Sequence, residues 1–133
     1  MKYRSGYKYQ LAENETFIIP IDPFDDIKTE FIELSKNGVL VVRAGYAWDG
    51  PSGPALDTKN SMRGSLVHDA WYQLMRQRLL GGHCREIADD FLYDVLVADG
   101  MSKVRAWFWW RGVRRAAGYA ADPKNVKKVH VAP

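Results

Sequence analysis

Short runs of aromatic and β-branched residues alternate with turn-forming residues in the first third of the chain. Residues 7–11 and 16–21 are two such runs, separated by Ala-Glu-Asn-Glu, and they predict two strands joined by a short turn. Residues 28–34 and 39–43 flank Ser-Lys-Asn-Gly, and Asn-Gly is the preferred turn pair of a β-hairpin. The pattern therefore predicts a small N-terminal antiparallel sheet that includes a β-hairpin.

From residue 61 onward, apolar residues recur three or four positions apart, as they do on one face of an α-helix. A first helix is predicted from residue 61 to the pair Gly81-Gly82, a second over 84–98 and a third over 102–117. Gly100 is the predicted stop of the second helix, because glycine commonly terminates helices. Since a short glycine-rich link joins the first two helices, we expect them to pack as an antiparallel hairpin.

Residues 45–54 contain three glycines and two prolines, a composition that argues against regular structure. This loop connects the predicted sheet to the first helix, and such loops often carry binding residues. Glycines would let the backbone approach an ion closely, and the candidate binding residues are Asp49, Gly50 and Ser52. The alternative is a rigid connection in which Trp48 fills the core.

The whole chain of 133 residues is long enough to bury a substantial core as one domain. Strands followed by helices indicate the α+β class: an N-terminal antiparallel sheet, a Gly/Pro-rich loop and a three-helix cluster. The predicted parts of this single domain are 1–45 for the strands, 46–60 for the loop, 61–118 for the helices and 119–133 for a basic tail.

Composition and charge narrow the class of protein. The content of hydrophobic residues is 47% and that of charged residues is 26%, both ordinary for a soluble globular protein. The net charge of +3 mildly favours anionic partners. Cys84 is the single cysteine, so no internal disulfide is expected. The N-terminus lacks the apolar run of a signal peptide, and no stretch approaches the roughly 20 apolar residues of a membrane span.

The predicted first helix carries the clearest candidate chemistry, His68-Asp69-Ala-Trp-Tyr72. His68 and Tyr72 are four residues apart and therefore lie on one helix face, with Asp69 beside it. Asp89 lies on the second helix and could face His68 across the predicted hairpin, so we expect a hydrogen bond between them. The alternative is a packed His–Tyr pair with Asp69 as a solvated acid.

A histidine becomes a useful general base when a carboxylate fixes its tautomer and stabilises its protonated form. In one hypothesis, Asp89 does this for His68, while Asp69 and Asp49 hold a divalent cation. Oxygen ligands suit Ca²⁺ or Mg²⁺ better than zinc. Metal-dependent phosphohydrolases that need a histidine upstream of a His-Asp pair fit poorly, because no histidine precedes His68. A serine nucleophile also fits poorly, because the sequence around Ser52 departs from the Gly-x-Ser-x-Gly motif.

The predicted third helix contains four consecutive aromatic residues, Trp107-Phe-Trp-Trp110. Four successive positions cover every face of a helix, so some of these rings must lie at a surface or an interface. Basic residues flank them and could bind an anionic lipid surface or a nucleic acid. The alternative is a helix packed on both sides or used for oligomerisation, with its arginines pointing outward. The flanking residues are Arg105, Arg111, Arg114 and Arg115.

From Tyr46 onward the chain resembles a small family of uncharacterised proteins encoded by bacteriophages and prophages. The resemblance implies a phage or prophage origin, location in the host cytoplasm or the virion, and other phage proteins as partners. It implies no particular activity. The motifs that carry it are Asp49-Gly50-Pro51-Ser52-Gly53-Pro54, His68-Asp69-Ala70-Trp71-Tyr72, Ala88-Asp89, Gly100-Met101 and the stretch from Trp107 to Arg114.

The motif His-Asp-x-x-Tyr with an aspartate on a facing helix is also similar to the active site of phospholipase A2 enzymes. This resemblance implies that His68 is the base, Asp69 a calcium ligand, Asp89 the partner of His68 and Tyr72 a supporting residue. The spacing of the glycine-rich loop differs from that of the enzymes, and the disulfides of their secreted forms are absent.

Two hypotheses of function follow from the sequence. The first is a small phage hydrolase that cleaves esters with His68 and Asp89, assisted by a cation. The second is a non-catalytic virion component or host-directed binding module. In the second, the same polar cluster is a buried hydrogen-bond network that fixes the helices.

Overall fold

A computed structural model describes residues 1–4, 9–48 and 59–121 of the protein. The described residues divide into two compact units, one up to residue 48 and one from residue 59. The first contains only strands and the second only helical elements. The order of strands before helices confirms the α+β class.

The strand unit contains seven short strands. They are β1 (Tyr3–Arg4), β2 (Tyr9–Leu11), β3 (Glu15–Ile18), β4 (Ile27–Lys28), β5 (Ile32–Leu34), β6 (Val39–Val42) and β7 (Ala47–Trp48). They form two antiparallel sheets, in the orders β1-β2-β7 and β3-β6-β5-β4. The prediction of one small sheet was therefore wrong in its pairing, because β2 and β3 belong to different sheets.

The predicted β-hairpin is confirmed as β5 and β6. Val39 accepts a backbone hydrogen bond from Ser35, with an N···O distance of 3.0 Å. Gly38 has a φ of +82°, and a Cβ atom there would lie 2.4 Å from the carbonyl oxygen of Ile19. Only glycine combines this left-handed conformation with so close an approach of a neighbouring backbone. The single strand predicted over 28–34 is instead divided between β4 and β5.

The smaller sheet extends into the segment predicted to be a loop. In β7, Trp48 lies opposite Tyr9 of β2 and is 3% exposed. Its ring lies 5.7 Å from that of Tyr9 and 6.3 Å from that of Tyr3, measured between centroids. Trp48 thus has the packing role that the sequence offered as the alternative to a binding loop.

The helical unit contains three α-helices, α1 (Met62–Arg76), α2 (Arg85–Ala98) and α3 (Lys103–Ala121), and two short 3-10 helices, Lys59–Ser61 and Gly82–Cys84. The first helix ends five residues before Gly81, so the predicted stop at the glycine pair was wrong. Arg78 takes a left-handed φ of +61°, and the N–H groups of Arg78 and Leu79 donate to the carbonyls of Met75 and Leu74. These bonds form a Schellman motif, which ends the helix with arginine where glycine is usual.

The end of α2 and the start of α3 agree with the predicted signals, whereas α3 runs to Ala121, four residues beyond its predicted end. Gly100, with a φ of +102°, follows α2, and its N–H donates to the carbonyl of Val97. Ser102 caps α3, since its Oγ accepts the N–H of Arg105 at 3.2 Å. The first two helices are also joined by an ion pair of 2.8 Å between Arg63 and Asp99.

A buried apolar cluster holds α2 and α3 together. Its members are Leu92, Leu96, Met101, Ala106 and Trp109. On the other side of α2, Leu92 and Leu96 approach Gly64 of α1 so closely that a Cβ atom there would lie 2.9 Å from Leu96 Cδ2. The three helices therefore pack closely, and this packing sets the positions of the polar side chains between them.

Candidate functional site

His68, Tyr72 and Asp89 meet between α1 and α2, as the sequence predicts. His68 Nε2 lies 2.7 Å from Asp89 Oδ1, and the Tyr72 hydroxyl donates a short hydrogen bond to the same oxygen. The rings of His68 and Tyr72 lie 4.2 Å apart between centroids. Their separation of four residues places both on one face of α1. The predicted contact between His68 and the carboxylate of Asp89 is confirmed.

Arg114 of α3 completes the cluster, and sequence reasoning placed it elsewhere. Its Nη1 lies 2.8 Å from Asp89 Oδ2, and its Nη2 lies 3.1 Å from Glu86 Oε1. The signal that could have indicated this partner is the spacing of Glu86 and Asp89. Two carboxylates three residues apart share one face of α2, and together they favour a cation from a neighbouring helix.

Burial and charge act in opposite directions on Asp89, whose side chain is 0% exposed. Burial alone would raise the pKa of Asp89, because it penalises the charged form. The hydrogen bonds and charges of His68, Tyr72 and Arg114 outweigh burial, so the pKa of Asp89 is lowered from its ordinary value. Asp89 is therefore an ionised carboxylate inside the helical unit, held by three partners from two other helices.

Asp89 in turn shifts the pKa values of two of its partners, Tyr72 and Arg114. Burial, followed by the hydrogen bond to Asp89, raises the pKa of Tyr72 far above its ordinary value, so its hydroxyl stays a proton donor. The hydrogen bond to Asp89 also raises the pKa of Arg114. The cluster thus contains a fixed negative charge on Asp89, a fixed positive charge on Arg114 and a neutral phenol.

The second nitrogen of His68 faces a different environment. In the part of the chain that the structure describes, Nε2 contacts Asp89 and no protein group is hydrogen-bonded to Nδ1. The His68 side chain is 16% exposed, so the imidazole lies at the edge of the cluster, whereas Asp89 is fully enclosed. Because Asp89 is ionised, Nε2 is the donor in this hydrogen bond, so Nδ1 carries the lone pair when the imidazole is neutral.

Of the predicted cation ligands, the structure describes only Asp69. Asp69 lies on α1 next to His68 and is half-buried. Asp49, Gly50 and Ser52 lie outside the described residues. Among residues 1–4, 9–48 and 59–121, no group of three or more His, Cys, Asp or Glu side chains could hold a metal ion.

The aromatic residues of α3 divide between core and surface, as the sequence predicts. Trp109 is buried, and Trp110 Nε1 donates to Asp90 Oδ1 at 2.9 Å. Trp107 and Phe108 are exposed. Of the helices described, none is long and apolar enough to cross a membrane.

The fold and the cluster define a small α+β protein in which a buried His–Tyr–Asp–Arg network joins three helices. The chain belongs to the family DUF1353, described as a protein of unknown function, whose model matches residues 26–113. This agrees with the prediction of an uncharacterised family. The match includes His68, Tyr72 and Asp89 and ends one residue before Arg114. No curated protein and no solved structure matches the chain.

Proposed function

We propose that the protein is an ester hydrolase in which His68 is the general base. The observation that carries this proposal is the geometry of the imidazole. Its Nε2 is held by the ionised Asp89, 2.7 Å away, and no group in the described part of the chain is bonded to Nδ1. A histidine oriented by a carboxylate, with its other nitrogen open, is the arrangement that general-base catalysis requires.

In the proposed reaction, Nδ1 of His68 accepts a proton from water as the water oxygen attacks the ester carbonyl. Asp89 stabilises the imidazolium that forms. The tetrahedral intermediate then releases the alcohol, which takes the proton back from His68, and the carboxylic acid product remains. Tyr72 and Arg114 act on the reaction through Asp89, because they hold its carboxylate in position.

A Ca²⁺ or Mg²⁺ ion is a further part of the proposal. Asp69 is the predicted ligand within the described helices, and Asp49, Gly50 and Ser52 are the others. The described residues do not by themselves make a cation site, and the candidate ligands of the loop lie outside them. A cation bound there would polarise the ester carbonyl.

The origin and location of the protein are proposed from its motifs. Resemblance to phage and prophage proteins supports a phage origin, and it supports the host cytoplasm or the virion as the location. Lipid esters are the proposed substrates, on the resemblance of His68, Asp69, Tyr72 and Asp89 to the active site of phospholipase A2.

A second candidate function is non-catalytic, and one observation favours it. Asp89 is 0% exposed and binds residues of both α1 and α3, so it connects all three helices. A buried network of this kind can exist to fix a fold. In this case the protein is a virion component or a host-directed binding module, and its active surface lies elsewhere.

Hydrolysis of a fluorogenic short-chain phospholipid by His68→Gln separates the two functions. Glutamine keeps an N–H donor near Asp89 but cannot act as a base. We expect turnover to fall at least 100-fold, in keeping with the usual contribution of general-base catalysis, with little change in melting temperature. The matched control is His83→Gln, since His83 is exposed and should leave turnover unchanged.

Asp69→Asn tests the cation by thermal unfolding. We expect wild type to melt at a higher temperature with millimolar Ca²⁺, and the variant to lose most of this shift. The hydrolase proposal fails if pure wild type shows no turnover with or without Ca²⁺ or Mg²⁺. It also fails if His68→Gln and His83→Gln have equal turnover.

A further inference from the structure

One face of α3 is exposed over three turns and carries both apolar and basic side chains. We name this surface the α3 stripe. Its members are Val104, Trp107, Phe108, Arg111 and Arg115. At about 100° per residue these positions fall within an arc of roughly 100° on the helix. The exposed fractions of Val104, Trp107 and Phe108 are 69%, 42% and 64%.

The opposite face of the same helix is used in packing between Ala106 and Arg114. Ala106 and Trp109 are buried in the cluster shared with α2, and Val113 packs against that cluster. Trp110 and Arg114 are bonded to α2. The α3 stripe therefore points away from the helical unit, and its apolar residues do not contribute to that core.

Charge along α3 is of one sign. The helix contains no aspartate or glutamate in its 19 residues. Within the described residues, Arg111 and Arg115 form no ion pair. The Arg111 guanidinium lies over the Trp107 ring, with 5.4 Å from Cζ to the centroid. The stripe thus combines exposed hydrophobic rings with cationic groups that have no acidic partner in the described chain.

We propose that the α3 stripe binds the surface of an anionic lipid bilayer. A helix lying in the bilayer interface buries an apolar face among acyl chains while its arginines contact anionic headgroups. Val104, Trp107 and Phe108 would enter the interface, and Arg111 and Arg115 would contact headgroup phosphates. This binding does not depend on the proposed hydrolase activity.

The side chains favour lipid over a nucleic acid or a second copy of the chain. One face of the Trp107 ring is covered by Arg111, and its edge-to-face contact with Phe108 at 5.1 Å limits base stacking. Val104 has no π face to offer a base. A second copy would bring the same arginines toward each other, which is unfavourable in a symmetric contact.

Co-sedimentation with vesicles tests the proposal directly. Vesicles of phosphatidylglycerol and phosphatidylcholine are compared with vesicles of phosphatidylcholine alone, at low and high salt. We expect wild type to bind the anionic vesicles more tightly and to be released by salt. For Arg111→Gln with Arg115→Gln, we expect binding to weaken by about 30-fold, because each basic residue near an anionic surface contributes about fivefold.

Two controls outside the stripe match the stripe variants, one in the charge removed and the other in the apolar surface removed. Lys36→Gln with Lys59→Gln removes the same charge from exposed positions outside the stripe. Phe24→Ala removes a side chain that is 93% exposed, and it is compared with Phe108→Ala. We expect both controls to bind as wild type does and Phe108→Ala to bind at least tenfold more weakly. Since all these side chains are exposed, the variants should keep the melting curve of wild type.

Each alternative occupant gives a different result. Wild type that does not bind anionic vesicles overturns the proposal, as does equal weakening by the stripe and control pairs. Tighter binding to a single-stranded oligonucleotide than to the vesicles would assign the stripe to nucleic acid. Concentration-dependent dimerisation that Phe108→Ala abolishes, without vesicle binding, would assign it to a second copy. The vesicle measurements are made with His68→Gln as well as with wild type, so that hydrolysis of vesicle lipids at the His68 site cannot account for the binding.

Discussion

Replacement of Asp89 by asparagine removes one negative charge from the centre of the helical unit with little change in shape. The carboxylate is 0% exposed and serves three partners, His68, Tyr72 and Arg114. The asparagine side chain would keep an acceptor oxygen but would place an NH₂ group toward one of these donors. The half-buried guanidinium of Arg114 would also lose its buried counter-charge.

The size of the effect can be worked out from these contacts. Breaking a buried ion pair by removing one partner typically costs about 3–5 kcal/mol. For a protein of this size, 1 kcal/mol corresponds to about 3–4 °C in melting temperature. We therefore expect Asp89→Asn to lower the melting temperature by roughly 10–20 °C. The loss of about 3–5 kcal/mol is a large part of a typical unfolding free energy of about 5–15 kcal/mol.

The pH dependence of the unfolding free energy gives an independent check of the charge on Asp89. The pKa of Asp89 is lowered in the folded protein, so its contribution to stability is complete above the ordinary carboxyl pKa of about 3.9. That contribution is lost as the pH falls through the lower pKa of the folded state. The difference in unfolding free energy between wild type and Asp89→Asn should therefore shrink as the pH falls below about 4.

Thermal unfolding followed by circular dichroism measures the change in melting temperature, and urea unfolding at several pH values measures the difference in unfolding free energy. Asp94→Asn is the matched control, because Asp94 is an exposed aspartate on the same helix. We expect its unfolding midpoint to differ little from that of wild type. Equal midpoints for Asp89→Asn and Asp94→Asn at pH 7 would refute the reasoning. A difference that grows as the pH falls below 4 would contradict the lowered pKa of Asp89.

Two further predictions concern Tyr72 and Arg78. Tyr72→Phe leaves the buried Asp89 without one donor and should lower the unfolding free energy by about 1–3 kcal/mol at pH 8. Because the folded pKa of Tyr72 is raised, the stability it contributes is present below the ordinary pKa of about 10 and is lost at higher pH. The difference from Tyr72→Phe should therefore be smaller at pH 11, as measured by urea unfolding; a larger difference would contradict the raised pKa. Arg78→Gly should stabilise the protein by up to about 1 kcal/mol, since Arg78 has a φ of +61° and left-handed conformations cost side-chain-bearing residues about 1–2 kcal/mol. A lower melting temperature for Arg78→Gly would indicate that the arginine side chain supplies a compensating contact.

The sequence predicted the contacts that depend on helix periodicity and on the order of elements. His68 and Tyr72 share a face because they are four residues apart, and Asp89 faces them because a short link joins α1 to α2. The hairpin of β5 and β6 was predictable for a similar reason, since Asn37-Gly38 determines a local turn. In each case the decisive interaction lies between residues close in the chain or in consecutive elements.

The features that sequence reasoning missed depend on distant parts of the chain. Tyr9 pairs with Trp48, 39 positions away, and no local pattern separates this pairing from the predicted hairpin of residues 7–21. Arg114 contacts Asp89 because α3 packs against α2, whereas its sequence neighbours suggested a role at the surface. The end of α1 at Arg76 rests on a left-handed arginine, although glycine is the usual signal.

The charges around Asp89 bear on both proposed functions of the cluster. Asp89 and Glu86 contribute two negative charges, and Arg114 contributes one positive charge that contacts both. With a neutral His68, the group therefore has a formal charge of −1. Protonation of His68 would bring the formal charge to zero, so the surroundings can accept an imidazolium without creating an excess of positive charge. The Glu86 side chain is 73% exposed, so solvent screens its charge, and the buried Asp89 is the main counter-charge for both Arg114 and His68.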